Sequence, residues 1–299
     1  MANAFDEAAK NKWKSYLLMF LFAAILIGLA YAIGLWYGQG SPTIIIGFMF
    51  IAFVISIIMS LVSYYNGDKV ALQISNAKPA NRKEHAHYIN SVEGLAIAAQ
   101  IPVPKIYVIP DQSINAFATG RNPEHASIAV TEGALKKLNR VELEGVIAHE
   151  MSHVKNYDML LMTVTVILVG LIVLLSDLFI RSMWFSGGRS DNNGKGNAVI
   201  LVVGIALAIL APFFAELIKL AISRKREYAA DATGAILSRH PQGLADALKK
   251  IQKDSLETKS ATKATAHLYF SSPFKKGSFS SFFSTHPPIQ DRIRRLEGM

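Results

Sequence analysis

The chain reads as a mainly α membrane protein in which four transmembrane helices carry a cytoplasmic α+β domain with a small β-sheet. Apolar residues make up 51% of its 299 positions, and they are concentrated in four long runs instead of being spread evenly. The segments after the second and fourth runs have the mixed composition of a water-exposed domain. The net charge is +9, and much of it flanks the apolar runs.

Residues 16–37 and 43–65 contain no charged side chain. Each is about as long as a helix needs to cross roughly 30 Å of hydrocarbon. Residues 159–180 and 198–222 are of similar length but include Asp177, Glu216 and Lys219. Asp177 with Arg181, and Glu216 with Lys219, have the spacing of pairs at a membrane interface, and Pro212 is expected to kink the fourth span. Lys10, Lys12 and Lys14, with Ala30-Tyr31-Ala32 further on, resemble a cleavable leader. The apolar run continues to Tyr37, however, and Asp6 and Glu7 do not suit a short positive leader, so an uncleaved anchor is expected.

Lys10, Lys12 and Lys14 before the first span and Arg224-Lys225-Arg226 after the fourth put both termini in the cytoplasm by the positive-inside rule. The loop 181–197, with Arg181, Arg189 and Lys195 against Asp191, pulls the other way and is outweighed. The expected division is a tail 1–15, a membrane hairpin 16–65, a first part of the soluble domain 66–158, a second hairpin 159–222 and a second part of the domain 223–299.

Within 66–158 the apolar spacing predicts a helix over 81–100, ended by Pro102 and Pro104. Residues 105–109 and 127–131 are β-rich, and Gly120-Arg121-Asn122-Pro123 is turn chemistry. A strand at Asn115, Ala116, Phe117 and Ala118 is expected either to accept an extended peptide as an added strand or to be an ordinary core strand. His85, His87 and His125 lack metal-ligand spacing, apart from the weak His85-Ala86-His87 pair. Asn139 and Glu142 have the spacing of a capping box, and no proline interrupts 141–157.

That helix contains His149-Glu150-Met151-Ser152-His153. Residues four apart share a helix face, so two imidazoles can reach one metal ion with Glu150 beside it as a base for water. The pattern is that of zinc hydrolases and predicts a zincin-like domain binding one Zn²⁺. The chain has no cysteine, so the metal shell must be nitrogen and oxygen. Two histidines do not complete it. In 223–299, Glu227 and Asp231 share a face in Arg226-Glu227-Tyr228-Ala229-Ala230-Asp231 and lie on the same side of the membrane as the histidines. They read either as a charged helix face or as a ligand carboxylate with a partner. Glu216 lies about three turns deeper toward lipid. Further helices are expected over 242–253 and 290–296, with a Ser- and Phe-rich loop over 269–283. No aromatic-interleaved basic stripe points to nucleic acid, and the basic excess suits anionic lipid.

Pro110-Asp111, Asn115-Ala116-Phe117-Ala118-Thr119-Gly120, the His149 motif, the Glu227 motif and Thr285-His286-Pro287-Pro288 together resemble the integral-membrane zinc metallopeptidases. That family joins the bacterial HtpX proteases with the prenyl-protein CaaX endopeptidases. The likeness covers nearly the whole chain, and four spans resemble the HtpX branch. It implies that His149, His153 and Glu227 bind zinc, Glu150 activates water, Asp231 orients the site, His286 stabilises the oxyanion, and Asn115 to Ala118 form an edge strand for substrate. It also implies a bacterial inner-membrane endopeptidase with its site facing the cytoplasm, cleaving misfolded or damaged membrane proteins in stress and quality control. Two other readings are an intramembrane protease and a membrane scaffold or channel with a structural zinc. Glu142, Glu144, Lys155 and Asp158 around the histidines argue for an aqueous site, and Glu150 argues against a purely structural metal.

Overall fold

A computed structural model describes residues 4–168, 170, 224–262, 264–274 and 286–299. Residues 169 and 171–223, with half of the expected third span, all of the fourth, Asp177, Pro212, Glu216 and Lys219, lie outside the described residues. Helices α1 (Ala4–Gly38) and α2 (Pro42–Ile74) pack along one another as a hairpin. The turn is tight because Gln39 and Gly40 take positive φ, 46° and 86°. Pro42 then opens α2, where a missing N–H has no helical partner to lose. Phe20, Ile46 and Phe50 are among many large apolar side chains that the hairpin leaves exposed. Among the described residues, these are the two helices long and apolar enough to cross a membrane.

Helix α2 does not stop where its apolar run stops. It continues past Asp68 and Lys69, and Ala71 and Leu72 of this extension join a buried cluster with Ile109, Phe117 and Ala129 of a four-stranded sheet. The strands are β1 (Lys78–Pro79), β2 (Lys105–Ile109), β3 (Ala116–Gly120) and β4 (Ala126–Thr131), in the order β1-β2-β4-β3. β2 and β4 are parallel, with Lys105 opposite Ser127, while β3 runs antiparallel to β4 with Ala118 opposite Ile128. β1 pairs antiparallel with β2 and has no counterpart in the sequence expectation. It is two residues long, and Ala80 N just beyond it donates to Ile106 O at 2.9 Å.

Side-chain alternation makes the sheet a partition. Ala116, Ala118, Ile128 and Val130 face a core shared with the helices of the domain, while Phe117 and Ala129 face α2. The domain helices are α3 (Ala86–Ala99), α4 (Glu132–Lys137), α5 (Arg140–Lys155), α6 (Asp158–Leu168), α7 (Arg224–Ser238), α8 (Pro241–Lys253) and α9 (Ile289–Glu297). α3 begins later than its apolar spacing suggests because Asn81 closes a turn first. Its Oδ1 accepts from Lys83 N, and its N–H donates to His85 Nδ1.

α5 is the axis of the domain, with α3, α7, α8 and β3 packed around it. Its start is fixed by the expected capping box: Glu142 N donates to Asn139 Oδ1 at 2.9 Å, and Asn139 N donates to Glu142 Oε2 at 2.7 Å. Lys250 of α8 reaches the same Glu142 carboxylate at 2.7 Å. Gly145 lets α8 come this close, since a Cβ there would lie 2.7 Å from Leu244 N. Gly145→Ala is therefore expected to destabilise the domain by about 1–3 kcal/mol through overpacking, read as a lower denaturation midpoint of the purified protein. An unchanged midpoint would mean that α8 can slide without cost.

Candidate metal centre

His149 and His153 stand one turn apart on α5, and Glu227 reaches them from the first turn of α7. All three are buried. His149 Nε2 lies 3.2 Å from His153 Nε2, and Glu227 Oε1 lies 3.5 Å from His153 Nε2. Glu227 Oε2 lies 3.9 Å from His149 Nε2. A tetrahedron built on zinc–nitrogen bonds of about 2.0–2.1 Å has edges of about 3.3 Å, so one small cation fits between these atoms. Among the described residues, this is the one group of three or more such side chains with converging donor atoms. Helix α7 approaches α5 closely at Gly234, where a Cβ would lie 2.9 Å from His149 N.

Each imidazole is turned by a carboxylate on its other nitrogen. His149 Nδ1 lies 2.9 Å from Asp231 Oδ1, one turn after Glu227 on α7. Asp231 is in turn gripped by Arg292 of α9, with Nη2 at 2.7 Å from Oδ1 and Nε at 2.9 Å from Oδ2. Arg292 is buried, also donates to Phe270 O at 3.2 Å, and lies over the Phe270 ring. Arg292 Nη2 comes within 3.4 Å of His149 Nδ1 as well. Two donors cannot bond each other, and the shorter Asp231 contact decides that Nδ1 carries the proton.

His153 Nδ1 lies 3.1 Å from Asp158 Oδ2. Asp158 is the first residue of α6, and the two-residue turn before it places Tyr157 at φ 59°. A tyrosine in that left-handed region costs about 1–2 kcal/mol. The distortion brings the chain round so that the Asp158 carboxylate faces the imidazole five residues earlier.

Glu150 is buried beside this group, and burial raises its carboxyl to about 7, opposed by His153 and by a hydrogen bond from the Ala118 backbone N–H. Burial lowers His149 to about 4 against the pull of Asp231, which leaves it neutral and ready to coordinate. Burial acts the same way on His153, but Asp158 and Glu227 outweigh it and raise the ring to about 9. Burial opposes the charge of Glu227, yet His286, His153 and His149 hold its carboxyl well below the usual range. His286 Nδ1 lies 2.8 Å from Glu227 Oε2. Its Nε2 is, among the described residues, the buried side-chain nitrogen or oxygen without a hydrogen-bond partner.

The expected substrate strand is the sheet edge β3, but its four residues differ in what they offer. Ala116 and Ala118 turn their backbone outward, with Ala116 O accepting from Phe270 N at 2.8 Å and Ala118 N–H meeting Glu150. Asn115 spends its amide on a loop, donating to Thr258 Oγ1 at 3.0 Å and Ser271 O at 3.1 Å. Phe117 points through the sheet to Tyr269, 5.2 Å between ring centres. Sequence reasoning missed Arg292. The spacing of Ile289, Ile293 and Leu296 would have placed it on the buried face of α9. It also named Asp158 only as a charged flank.

The family model for peptidase family M48 matches residues 82–299. A protease HtpX homolog of Dictyoglomus thermophilum is 46% identical over 99% of this chain and 94% of its own length. Homologs of the same name from Caldanaerobacter subterraneus subsp. tengcongensis and Lactobacillus helveticus are 45% and 42% identical, each over 99% of this chain and over 97% and 99% of their own lengths. Among solved structures, S. mikatae Ste24p shares the fold with a TM-score of 0.51 at 21% identity over 95% of this chain. This chain spans 66% of that one, just under two thirds of its length.

A metal entering this site has to displace the proton that His153 holds below about pH 9. The ring's pKa is raised, so the proton competes at pH 7–8 and ceases to compete as pH rises through about 9. Calorimetric zinc titration in buffers of different ionisation enthalpy is therefore expected to show about one proton released per ion at pH 7.5. Heats that do not depend on the buffer would mean that His153 is already neutral.

Proposed function

Because the chain belongs to peptidase family M48, we propose that it is a membrane-bound, zinc-dependent endopeptidase whose metal is held by His149, His153 and Glu227. It is a metalloprotease by family, and the choice of ion and the residue roles are our reading. The observation that carries the reading is the convergence of two Nε2 atoms and one carboxylate at 3.2, 3.5 and 3.9 Å, with a buried glutamate beside them. Bound zinc supplies Lewis-acid polarisation of the scissile carbonyl and acidifies water.

Glu150 takes the proton of the attacking water and passes it to the leaving amine, a role suited to a carboxyl raised to about 7. Asp231 and Asp158 keep the two imidazole Nδ1–H groups pointed away from the metal. His286 fixes Glu227 by donating from Nδ1, and as an imidazolium it would present the otherwise unpartnered Nε2–H to the oxyanion. An extended substrate would lie along the outward edge at Ala116 and Ala118 by displacing the contacts that Phe270 N and Glu150 make there, and Asn115 and Phe117 support the strand from behind. Glu150 disfavours the alternative of a scaffold or channel with a structural zinc, and so do three ligands among the described residues where structural sites have four.

The likeness to bacterial HtpX homologs extends the proposal to misfolded or damaged membrane proteins as substrates. On the same likeness we also propose a bacterial inner-membrane location with four spans, the divisions 1–15, 16–65, 66–158, 159–222 and 223–299, and a site facing the cytoplasm. Positive flanks at Lys10, Lys12, Lys14 and Arg224-Lys225-Arg226 support that orientation.

Glu150→Gln is expected to keep stoichiometric zinc while hydrolysis of an unfolded protein falls by at least about 10²-fold, because an amide cannot accept the water's proton. Undiminished cleavage by the zinc-loaded variant would remove Glu150 from the mechanism. Cysteines placed at the exposed positions Glu124 and Lys259 are expected to react only from the cytoplasmic face of sealed vesicles, and one at Asn193 only from the other face. Labelling of Glu124 and Lys259 positions from opposite faces would contradict the topology.

A further inference from the structure

The N-terminal end of α1 reaches into the metal centre. Asn11 is only 1% exposed, five residues before the first apolar run begins. Its amide is fully used. Nδ2 donates to Asp158 Oδ1 at 2.7 Å and to Asn156 O at 3.1 Å, and Oδ1 accepts from Arg226 Nη1 at 3.3 Å. Next to it, Lys12 Nζ lies 4.1 Å from the centre of the Tyr157 ring. Asn11 and Lys12 therefore contact both residues of the strained turn, Asn156 and Tyr157, and the Asp158 carboxylate that it aims at His153.

We propose that Asn11 is a positioning residue for the metal site, acting through Asp158 on the imidazole of His153. The inference rests on His153 being a zinc ligand, as argued above. A carboxylate that turns an imidazole must itself be held, because each of its oxygens competes for donors. Oδ2 of Asp158 serves His153, and Oδ1 is satisfied by Asn11 at a shorter distance than by Arg226, whose Nη1 is 3.5 Å away. Below Asn11 the same face of α1 carries Ser15, Leu18 and Phe22, all buried, and Leu18 and Phe22 pack with Leu160, Leu161 and Val164 of α6. The first apolar helix and the helix that begins at Asp158 thus form one packed unit. Its polar end adjoins His153, so the anchor contributes to the site's geometry as well as to its location.

The test is the zinc dissociation constant of the purified full-length protein, measured by chelator competition for wild type, Asn11→Ala, Asp158→Ala and the double variant. Absorption of the cobalt-substituted forms gives a second readout. Asn11→Ala is expected to weaken zinc about 10-fold and to shift the cobalt bands, while in the Asp158→Ala background it is expected to change little further. Leu18→Ala, which loosens the same helix without touching Asp158, is expected to leave the affinity within about 2-fold. Wild-type affinity in Asn11→Ala, or an Asn11→Ala loss that persists undiminished without Asp158, overturns the proposal. Should Asn11→Ala fail to fold, Asn11→Leu serves instead: it nearly keeps the size but has no proton to give Asp158, and unaltered affinity there overturns the proposal equally. A wild-type protein that holds no zinc would instead refute the metal reading on which this one rests.

Discussion

An imidazole has two nitrogens, and the hydrogen bond made by one sets which is left free and where it points, so a well-aimed ring needs that bond to be held. In this protein that requirement reaches far along the chain. His149 is turned by Asp231, and Asp231 is clamped by Arg292 from the last helix. His153 is turned by Asp158, which is held in turn by Asn11 near the start of the first helix. Two neighbouring side chains on one helix therefore draw on both ends of the sequence. The close packing of α7 on α5 at Gly234 and of α8 at Gly145 serves the same end, since a loose fit there would misplace the third donor of the group.

The sheet separates this polar centre from the apolar hairpin while connecting the two. One face of β3 and β4 packs with α5, and the other packs with the end of α2. The outward edge of β3 adjoins the centre, and Gly120 N at its end donates to Thr163 Oγ1 of α6 at 3.1 Å. The same hydroxyl lies 2.8 Å from Thr119 Oγ1, and Thr163 sits against Gly67 of α2, where a Cβ would come within 2.6 Å of its Cγ2. A strand, a membrane-capable helix and the helix that follows the histidines therefore meet at one threonine. Their relative heights are fixed together.

Much of the fold was legible because it depends on local chemistry. The capping box of Asn139 and Glu142, the β-rich runs before and after the turn at Gly120, and the charge-free stretches each declare their conformation within a few residues. The two histidines and Glu150 were legible for the same reason, since a helix alone brings them to one face. Glu227 required an argument about which side of the membrane its helix returns to. Asn11, Asp158 and Arg292 were not found as partners of the site, because their roles arise from contacts across 147, 5 and 61 residues with no local signature. The strand at Asn115 to Ala118 shows the limit most plainly. Its residues were visible as a strand, but pairing alone decided that Ala116 and Ala118 turn their backbone outward while Phe117 points through the sheet.

The order of these groups along the chain also sets a schedule. His149 and His153 are made early, Glu227 follows only after the residues 159–222, and His286 and Arg292 come within the last few turns of synthesis. At about 5–20 residues per second, on the order of 10 s separate the first donor pair from the arginine that clamps Asp231. Over about the first half of that interval a ribosome-bound chain has the signature motif but not the third donor, and it lacks the outer clamp to the end. The order of the residues along the chain alone therefore keeps the converging group and its clamps incomplete until the last helix has been made.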